Sequence, residues 1–398
     1  MTCSKPASGW PAQTYARYFV WEKGQVFGHA GRGLGMRKSI LAMAFALCAI
    51  VLDPAAGAAK EILFINPGFA DKGFWHDVSG TMRAAAAQFG YKLSIVSADR
   101  KWPLMVSKGL AAIKSHNPDY LIIANEHQQA PLLLQAADKK GIPTLLLLND
   151  LTAEQKKTYG GPREIYKHWI GSITPDNAKA GYEMAVSLID FFKKEGVGKV
   201  KLLSLAGDFI TPASQVRMQG LDRALREFSG TIHEVRRLTV NWSESEAYER
   251  TNLFFQTATA NAIWAANDPI ALGAMRALRQ RGLEPGRDVA VAGLNWSNPA
   301  IDAVIKGEMT MTHGGHFFAG AWGIVLINDY DHGVDFKDLG TVIRFPMSAL
   351  TKERAVIYKA ALGDQNWSKI NFRAFSRQDG ALPHGYDFTL KRILANIH

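Results

Sequence analysis

The stretch EILFINPGFADKGFWHDVSGTMRAAAAQFGYKLSIVS, residues 61–97, contains one complete strand-helix-strand unit. Ile62–Asn66 and Lys92–Ser97 are short runs rich in isoleucine, leucine and valine, as expected of strands buried on both faces. Val78–Gly90 has apolar residues at helical spacing, and Gly90 stands where the helix would end. Two such strands joined by a helix pair in parallel. The stretch therefore predicts a parallel sheet covered by helices.

The same alternation continues along the chain and then starts again. In the first half, further strands are predicted at Tyr120–Ala124, Thr144–Leu148 and Trp169–Ser172, with helices at Leu104–Ser115 and Gln129–Lys140. In the second half, strands are predicted at Val200–Ala206, Ile232–Leu238, Ala262–Ala265 and Val289–Gly293, with helices at Gln215–Phe228, Glu244–Thr257 and Pro269–Arg279. The sequence thus predicts an α/β protein of two doubly wound parallel-sheet lobes, with a ligand cleft where the carboxyl ends of the strands face each other.

Composition excludes several other classes of protein. The chain has 398 residues, of which 47% are hydrophobic and 21% charged, so disorder, collagen-like repetition and a disulfide scaffold are excluded. The formal charge of +10 raises the question of nucleic-acid binding. Residues 1–59 carry six lysines and arginines against two acidic residues, and no basic block follows them. We therefore expect no nucleic-acid partner.

A secretory signal peptide is predicted at residues 36–59. Met36 is followed by Arg37 and Lys38 and then by an apolar stretch, Ile40–Leu52, that is too short to span a bilayer. Small residues surround the expected cleavage site after Ala58 or Ala59. A buried apolar helix is the alternative. Under the secretory interpretation the mature protein is periplasmic.

Residues 1–35 are interpreted as a non-native upstream extension, because signal peptides seldom carry a polar preface of that length. Both cysteines, Cys3 and Cys48, precede the expected cut. The exported chain would then contain no cysteine, so neither a disulfide nor thiol chemistry would contribute to it.

Polar side chains stand directly after predicted strands in both halves. Such positions meet at one edge of each sheet, and loops there commonly carry function. Each of these residues could instead be a helix N-cap. Planar amides and carboxylates suit the paired hydroxyls of a sugar, so together they predict a sugar-like ligand. The residues are Asn66, Asn149, Asp176, Asn267 and Asn295.

Aromatic residues accompany these polar positions and could stack on the apolar face of a sugar ring. Phe74 and Trp75 form a Gly-Phe-Trp turn before a helix, and for Trp75 the cleft is favoured over core packing. The others near strand ends are Phe69, Trp102 and Trp296. Arg217 lies early in a predicted helix and could donate two parallel hydrogen bonds to ligand oxygens. The alternative for this residue is a surface salt bridge.

Catalytic and metal-binding machinery is not visible in the sequence. His313 and His316 lie three residues apart, but no cysteine or carboxylate stands at ligand spacing, so a zinc site is not favoured. No nucleophile elbow, phosphate loop or HExxH helix is present. We expect a protein that is not an enzyme and that uses no metal and no cofactor.

Several short motifs resemble the type I periplasmic solute-binding proteins of the ribose and galactose branch. The most specific is Asn267-Asp-Pro-Ile-Ala-Leu-Gly273. The others are Ile62-Leu-Phe-Ile-Asn-Pro-Gly with Gly73-Phe-Trp, Asp176-Asn-Ala-Lys-Ala-Gly181, Arg217-Met-Gln-Gly220 and Gly293-Leu-Asn-Trp. The resemblance implies two lobes joined by a hinge. It places residues 60–172 and 314–345 in the N-terminal lobe, and residues 173–313 and 346–398, with a C-terminal extension, in the C-terminal lobe.

The same resemblance implies the binding residues position by position. Phe74 and Trp75 match the stacking aromatics of the family. Asn149, Asp176, Arg217, Asn267 and Asn295 match its polar binding positions, and His313 falls where the family commonly has glutamine. Asn295 replaces the usual aspartate, which weakens the case for a simple hexose or pentose.

The implied function is a monomeric protein that closes around a small carbohydrate-like ligand and delivers it to an ABC permease in the inner membrane. The Pro67-Gly68 turn and the C-terminal extension also resemble periplasmic receptors for autoinducer-2. The alternative is therefore a co-receptor for a membrane histidine kinase. LacI-type repressors share this ligand-binding fold, but a signal peptide stands where they carry a helix-turn-helix.

Overall fold

The computed structural model describes residues 59–196, 198–378, 382 and 385–398. The predicted upstream extension, almost all of the predicted signal peptide and both cysteines lie outside the described residues. None of the described helices is both long enough and apolar enough to cross a membrane.

The first lobe is built around a six-stranded sheet, counted over the described residues. Its central strands are almost wholly buried on both faces, because helices cover the sheet on each side, whereas its two edge strands are partly exposed. In chain order its elements are β1 Glu61–Asn66, α1 Phe74–Phe89, β2 Lys92–Ser97, α2 Trp102–His116, β3 Tyr120–Ile123, α3 Ala130–Asp138, β4 Thr144–Leu147, α4 Ala153–Tyr159 and β5 Trp169–Pro175. The chain later returns to this lobe with α10 Ala319–Asp331 and β11 Val342–Phe345. The strand order is β11-β5-β4-β3-β1-β2, parallel throughout.

The second lobe repeats this architecture. Its elements are α5 Asn177–Lys194, β6 Val200–Ala206, α6 Pro212–Glu227, β7 Ile232–Thr239, α7 Glu244–Thr257, β8 Ala262–Ala265, α8 Asp268–Gln280, β9 Ala290–Leu294, α9 Asn298–Lys306, β10 Met311–Gly314, β12 Ser348–Leu350 and α11 Lys352–Leu362. Its sheet runs β12-β10-β9-β8-β6-β7, with β12 alone antiparallel. The predicted fold of two doubly wound parallel-sheet lobes is confirmed.

The chain crosses between the lobes after β5, after β10 and between β11 and β12. At the second crossing the backbone of Gly314 and Gly315 lies against the Trp296 indole, where a Cβ on either glycine would come within 2.7–2.8 Å of the ring. Trp296 is buried, and its Nε1 donates to the Ser348 carbonyl at 3.1 Å. Trp296 is therefore part of the packing beside the crossings rather than a cleft aromatic.

The C-terminal extension packs on the first lobe, whereas the sequence analysis grouped it with the second. After α11 the chain crosses a fourth time, and Trp367 packs against Phe317, Phe318 and Gly80 of α1. The Gln88 side chain of α1 then donates to the Ile370 carbonyl and accepts from the amide of Phe372. The extension ends with the short helix α12, Leu390–Ala395.

An aromatic cluster anchors this extension. Trp322 of α10 is fully buried and packs against Phe372, Phe375 and Phe388 at ring separations of 6.0, 4.6 and 4.5 Å. The buried Asp329 carboxylate accepts bonds from Ser376, the amide of Arg377 and Tyr386. The extension therefore covers apolar surface of α1 and α10 that would otherwise face water.

We predict that Phe375→Ala lowers the free energy of unfolding by about 3–5 kcal/mol, because it opens a cavity in this cluster. Chemical denaturation of the purified protein measures the change. Ile357→Ala on α11 is the control, since its side chain is 58% exposed and its loss should change stability by less than about 0.5 kcal/mol. Equal stability of the two variants would show that the extension is not part of the core.

Candidate functional site

The two sheets present their carboxyl ends to a cleft between the lobes. About 560 Å³ between the lining side chains is not filled by protein atoms, part of it open to solvent. The lining residues are Phe74, Trp75, Arg100, Glu126, Leu148, Asn149, Pro175, Asn177, Thr211, Ala213, Arg217, Trp242, Asn267, Asn295 and His316.

The aromatic wall of the first lobe comes from the first turn of α1. Phe74 is partly exposed and lies edge-on to Trp75, with ring centroids 5.5 Å apart. Trp75 is only 5% exposed and packs on Phe64. A Cβ on Gly68 would lie 2.3 Å from the Trp75 Cβ, so only glycine lets the preceding turn pass here. Trp75 is thus largely packed in the core and has one edge in the cleft, the position that the sequence favoured for it.

Asn149 joins the two lobes. Its Nδ2 donates to Glu126 Oε1 at 2.8 Å, and its Oδ1 accepts from the backbone amide of Ala213 in the second lobe at 3.1 Å. Both hydrogen-bonding groups of Asn149 are therefore engaged within the protein. These two hydrogen bonds connect Asn149, just after β4, to Glu126 of the first lobe and to the first turn of α6 in the second lobe.

Glu126 is a carboxyl group with a displaced pKa. Burial raises the pKa of Glu126 from 4.5 to about 7, and the nearby carboxylate of Asp208 adds to this, while Arg100 and the bond from Asn149 act in the opposite direction. Near neutral pH the group can therefore exchange between donating and accepting a hydrogen bond.

Arg217 is the central group of the second lobe and is not a surface ion pair, since it is only 3% exposed. Its Nε donates to Asn177 Oδ1 and its Nη1 to the Ala266 carbonyl, both at 2.8 Å. Its Nη2 donates to His316 Nε2 at 3.3 Å. A guanidinium has five N–H groups, so one hydrogen remains on each terminal nitrogen.

Close contact between α5 and α6 places this arginine. A Cβ on Gly181 would lie 2.1 Å from the Arg217 carbonyl oxygen, and one on Gly220 would lie 2.0 Å from that of Ala178. The two helices therefore touch backbone to backbone only because both positions are glycine. This contact brings Arg217 within reach of Asn177 at the start of α5.

Aromatic rings and a buried carboxylate surround the guanidinium. It lies 5.7 Å from the Trp242 ring centroid. His316 lies just after the second crossing and stacks on Phe74 of the first lobe at 4.4 Å. Burial lowers the pKa of Arg217 to about 9, against the attraction of Asp268. The same burial, followed by repulsion from Arg217, lowers the pKa of His316 well below its ordinary value, so its ring is neutral and can accept.

Amide side chains supply the remaining polar groups of the cleft. Asn267 caps α8 through Oδ1, which accepts from the Ile270 amide at 2.9 Å and leaves its nitrogen for a ligand. Asn177 likewise keeps its nitrogen, since its oxygen binds Arg217. Asn295 lies at the end of β9 on the same wall.

Two of the binding positions that the family resemblance implies do not line the cleft, and neither does Asn66, which is fully buried. Asp176 caps α5 by accepting from the Lys179 amide at 3.0 Å, and its neighbour Asn177 lines the cleft instead. His313 is 1% exposed and lies 2.8 Å from the Glu183 carboxylate, outside the cleft. His316, three residues further along at the crossing, lines the cleft in the place that was expected for His313.

Sequence reasoning missed nine of the lining residues. Those with charged, amide or aromatic side chains are Arg100, Glu126, Asn177, Trp242 and His316, and the others are Leu148, Pro175, Thr211 and Ala213. Arg100, Glu126 and Trp242 each lie three residues beyond the end of a strand. Their constant spacing from the strand ends is the signal in the sequence that could have identified them. Within the described residues no group of three or more potential metal ligands occurs.

We predict that Glu126→Gln makes the protein more stable than wild type at pH 8 and leaves it nearly equal at pH 5. Because the folded protein holds this proton more tightly than the unfolded chain does, the stabilisation is complete below about pH 4.5 and is lost as pH rises through about 7. Asp77 and Asp268, whose pKa values burial raises to about 6, contribute in the same direction in both proteins.

Urea denaturation at pH 5, 6, 7 and 8 measures this difference, with Glu154→Gln on exposed α4 as the control. An unchanged difference between Glu126→Gln and wild type across this range would show that Glu126 titrates as an ordinary carboxyl group.

Known periplasmic binding proteins are similar to this chain in sequence and in fold. Residues 62–327 match the family described as periplasmic binding protein domain. The crystal structure of a periplasmic sugar-binding protein from Pseudomonas fluorescens is similar, with 32% identity, coverage of 84% of this chain and 99% of that one, and a TM-score of 0.76. The D-allose-binding periplasmic protein of Escherichia coli is 26% identical over 70% of this chain and 86% of its own length.

A transcriptional regulator of the helix-turn-helix type, DegA of Bacillus subtilis, is also similar, at 22% identity over 56% of this chain. The chain spans only 60% of that regulator's length. The match to residues 62–327, over more than half of the chain, together with the two doubly wound lobes, shows that the chain belongs to the type I periplasmic binding protein family.

Proposed function

We propose that this protein is a periplasmic receptor that closes around a small sugar-like ligand without transforming it. The observation that carries the proposal is the buried Arg217, which lines a cleft of aromatic rings and amide side chains and keeps one hydrogen on each terminal nitrogen beyond its bonds within the protein. Such a set grips paired hydroxyls at the edge of a ring while Phe74 and Trp242 contact its faces. This is the chemistry of sugar binding.

The binding role is further supported by the relatives. The Pseudomonas fluorescens structure is named as a sugar-binding protein, and the Escherichia coli relative as a D-allose-binding protein. Both are binding proteins rather than enzymes by name. We carry over the class of ligand, a small carbohydrate, and not its identity.

Delivery to an ABC permease in the inner membrane is the proposed use of the bound ligand. The predicted signal peptide and the periplasmic names of the relatives support an export-dependent role. Structures of similar fold include one named as an ABC transporter periplasmic solute-binding protein. In this proposal the protein acts as a monomer with two states, open and closed, of which the ligand stabilises the closed one.

A thermal-shift screen of the purified protein against monosaccharides, polyols and unrelated polar metabolites tests the proposal. A ligand at about 100 times its dissociation constant adds about 2.7 kcal/mol of stability, which a melting curve resolves. We expect one or more sugars to raise the melting temperature. Stabilisation by amino acids or nucleotides and by no carbohydrate would contradict the proposal.

We predict that Arg217→Lys weakens binding of the sugar found in that screen by about tenfold or more. Lysine keeps the charge but loses the planar fork, and a hydrogen bond to a charged group contributes about 1.5–3 kcal/mol. Titration calorimetry measures the dissociation constant. Arg223→Lys is the matched control, since Arg223 lies on the same helix, is exposed and pairs with Glu227. Equal affinity of both variants would remove Arg217 from the site.

A further inference from the structure

A second recess adjoins the main cleft on the side of the first lobe. About 280 Å³ within it is not filled by protein atoms, part of it open to solvent. It shares Trp75, Arg100 and Glu126 with the main cleft, so the two spaces meet along these three residues. Its other walls are Pro67, Trp102, Met105 and His127.

Trp102 forms an exposed aromatic surface in this recess. Trp102 is 44% exposed, whereas Trp169, Trp264 and Trp322 are fully buried. Tryptophan is mostly buried in folded proteins, so an exposed indole beside a ligand cleft requires an explanation. The His127 ring lies 6.2 Å from the Trp102 ring, tilted by 32°, and the two form an aromatic platform.

Hydrogen bonds within the protein hold the aromatic platform in place without a ligand. The amides of Asp99 and Arg100 donate to the carbonyls of Gly68 and Pro67 at 3.0 and 2.8 Å, which ties the start of α2 to the turn beneath Trp75. On the other side, Asn125 Nδ2 donates to the Gln155 side chain at 2.8 Å. The recess is therefore preformed, which lowers the entropic cost of binding there.

Polar groups stand where the two spaces join. Arg100 is exposed, and within the described chain it has no carboxylate in ion-pair range. Glu126 is fixed by Asn149 at 2.8 Å and faces both spaces. A donor and an acceptor beside an aromatic face repeat, on a smaller scale, the chemistry of the main cleft.

We propose that the recess is a second sugar subsite, and that the protein binds a disaccharide or a longer glycoside with one ring in the main cleft and the next on the Trp102–His127 platform. The inference rests on the proposed function, since it extends the ligand of the same cleft. Arg100 and Glu126 bind the hydroxyls on either side of the glycosidic bond.

Titration calorimetry tests the proposal with D-glucose, D-galactose, D-allose, D-ribose and L-arabinose, and with disaccharides that contain these sugars. At least one disaccharide should bind about tenfold more tightly than either of its component sugars. Trp102→Ala should remove this gain and leave monosaccharide affinity unchanged, whereas Trp102→Phe, which keeps an aromatic face, should retain most of it.

Leu132→Ala, a 49% exposed residue on α3 outside both spaces, is the control and should retain the full gain. Monosaccharides that bind as tightly as every disaccharide would overturn the second subsite and leave the proposed function intact. A disaccharide advantage that survives in Trp102→Ala would also overturn it. Failure of every sugar of either size to bind would overturn the proposed function together with this inference.

Discussion

The burial of the Arg217 guanidinium is the constraint on which the rest of the site depends. A buried cation is costly unless its hydrogens are bonded, and here Asn177, the Ala266 carbonyl and His316 take three of the five. None of these acceptors is charged. The carboxylate whose charge raises the pKa of Arg217 is that of Asp268. Asp268 follows Asn267 in the chain and is itself buried. The arrangement keeps the arginine charged and leaves two of its hydrogens for a ligand.

Other features of the molecule follow from this requirement. Two glycines allow α5 and α6 to touch, and the contact sets the depth of Arg217. His316 must stay neutral to accept from it, and burial ensures this. Because His316 also stacks on Phe74, the arginine of one lobe is linked to the aromatic wall of the other. Asn149 provides the second link between the lobes, through the Ala213 amide. In the proposed two-state mechanism, closing and opening of the cleft would make and break these contacts.

The fold could be predicted from the sequence because its central strands are buried on both faces. A run such as Ile62–Ile65 is apolar throughout, which separates it from the amphipathic helix that follows. The cleft could be predicted in part for the same reason, since polar residues after strands must meet at one sheet edge. Asn149, Asn267 and Asn295 line the cleft as that rule requires.

The remaining details depend on geometry that residue types do not encode. Asp176 and Asn177 are adjacent and both polar, and only the capping of α5 decides which one faces the cleft. Trp75 is drawn into the core by the close approach of Gly68, which no periodicity reveals. The C-terminal extension has no regular pattern, so its docking on α1 and α10 rather than on the second lobe could not be deduced from chain order.

The distance between the lobes, with and without sugar, tests the central claim most directly. Glu154 on α4 and Ser245 on α7 are exposed and lie on different lobes, each in the first turn of a helix that follows a strand. With Cys3 and Cys48 replaced by serine, cysteines at these two positions can carry spin labels for pulsed electron paramagnetic resonance. We expect a saturating concentration of the stabilising sugar to shift the distance distribution to a single shorter distance. A distribution that the sugar leaves unchanged would contradict closure of the two lobes around a ligand.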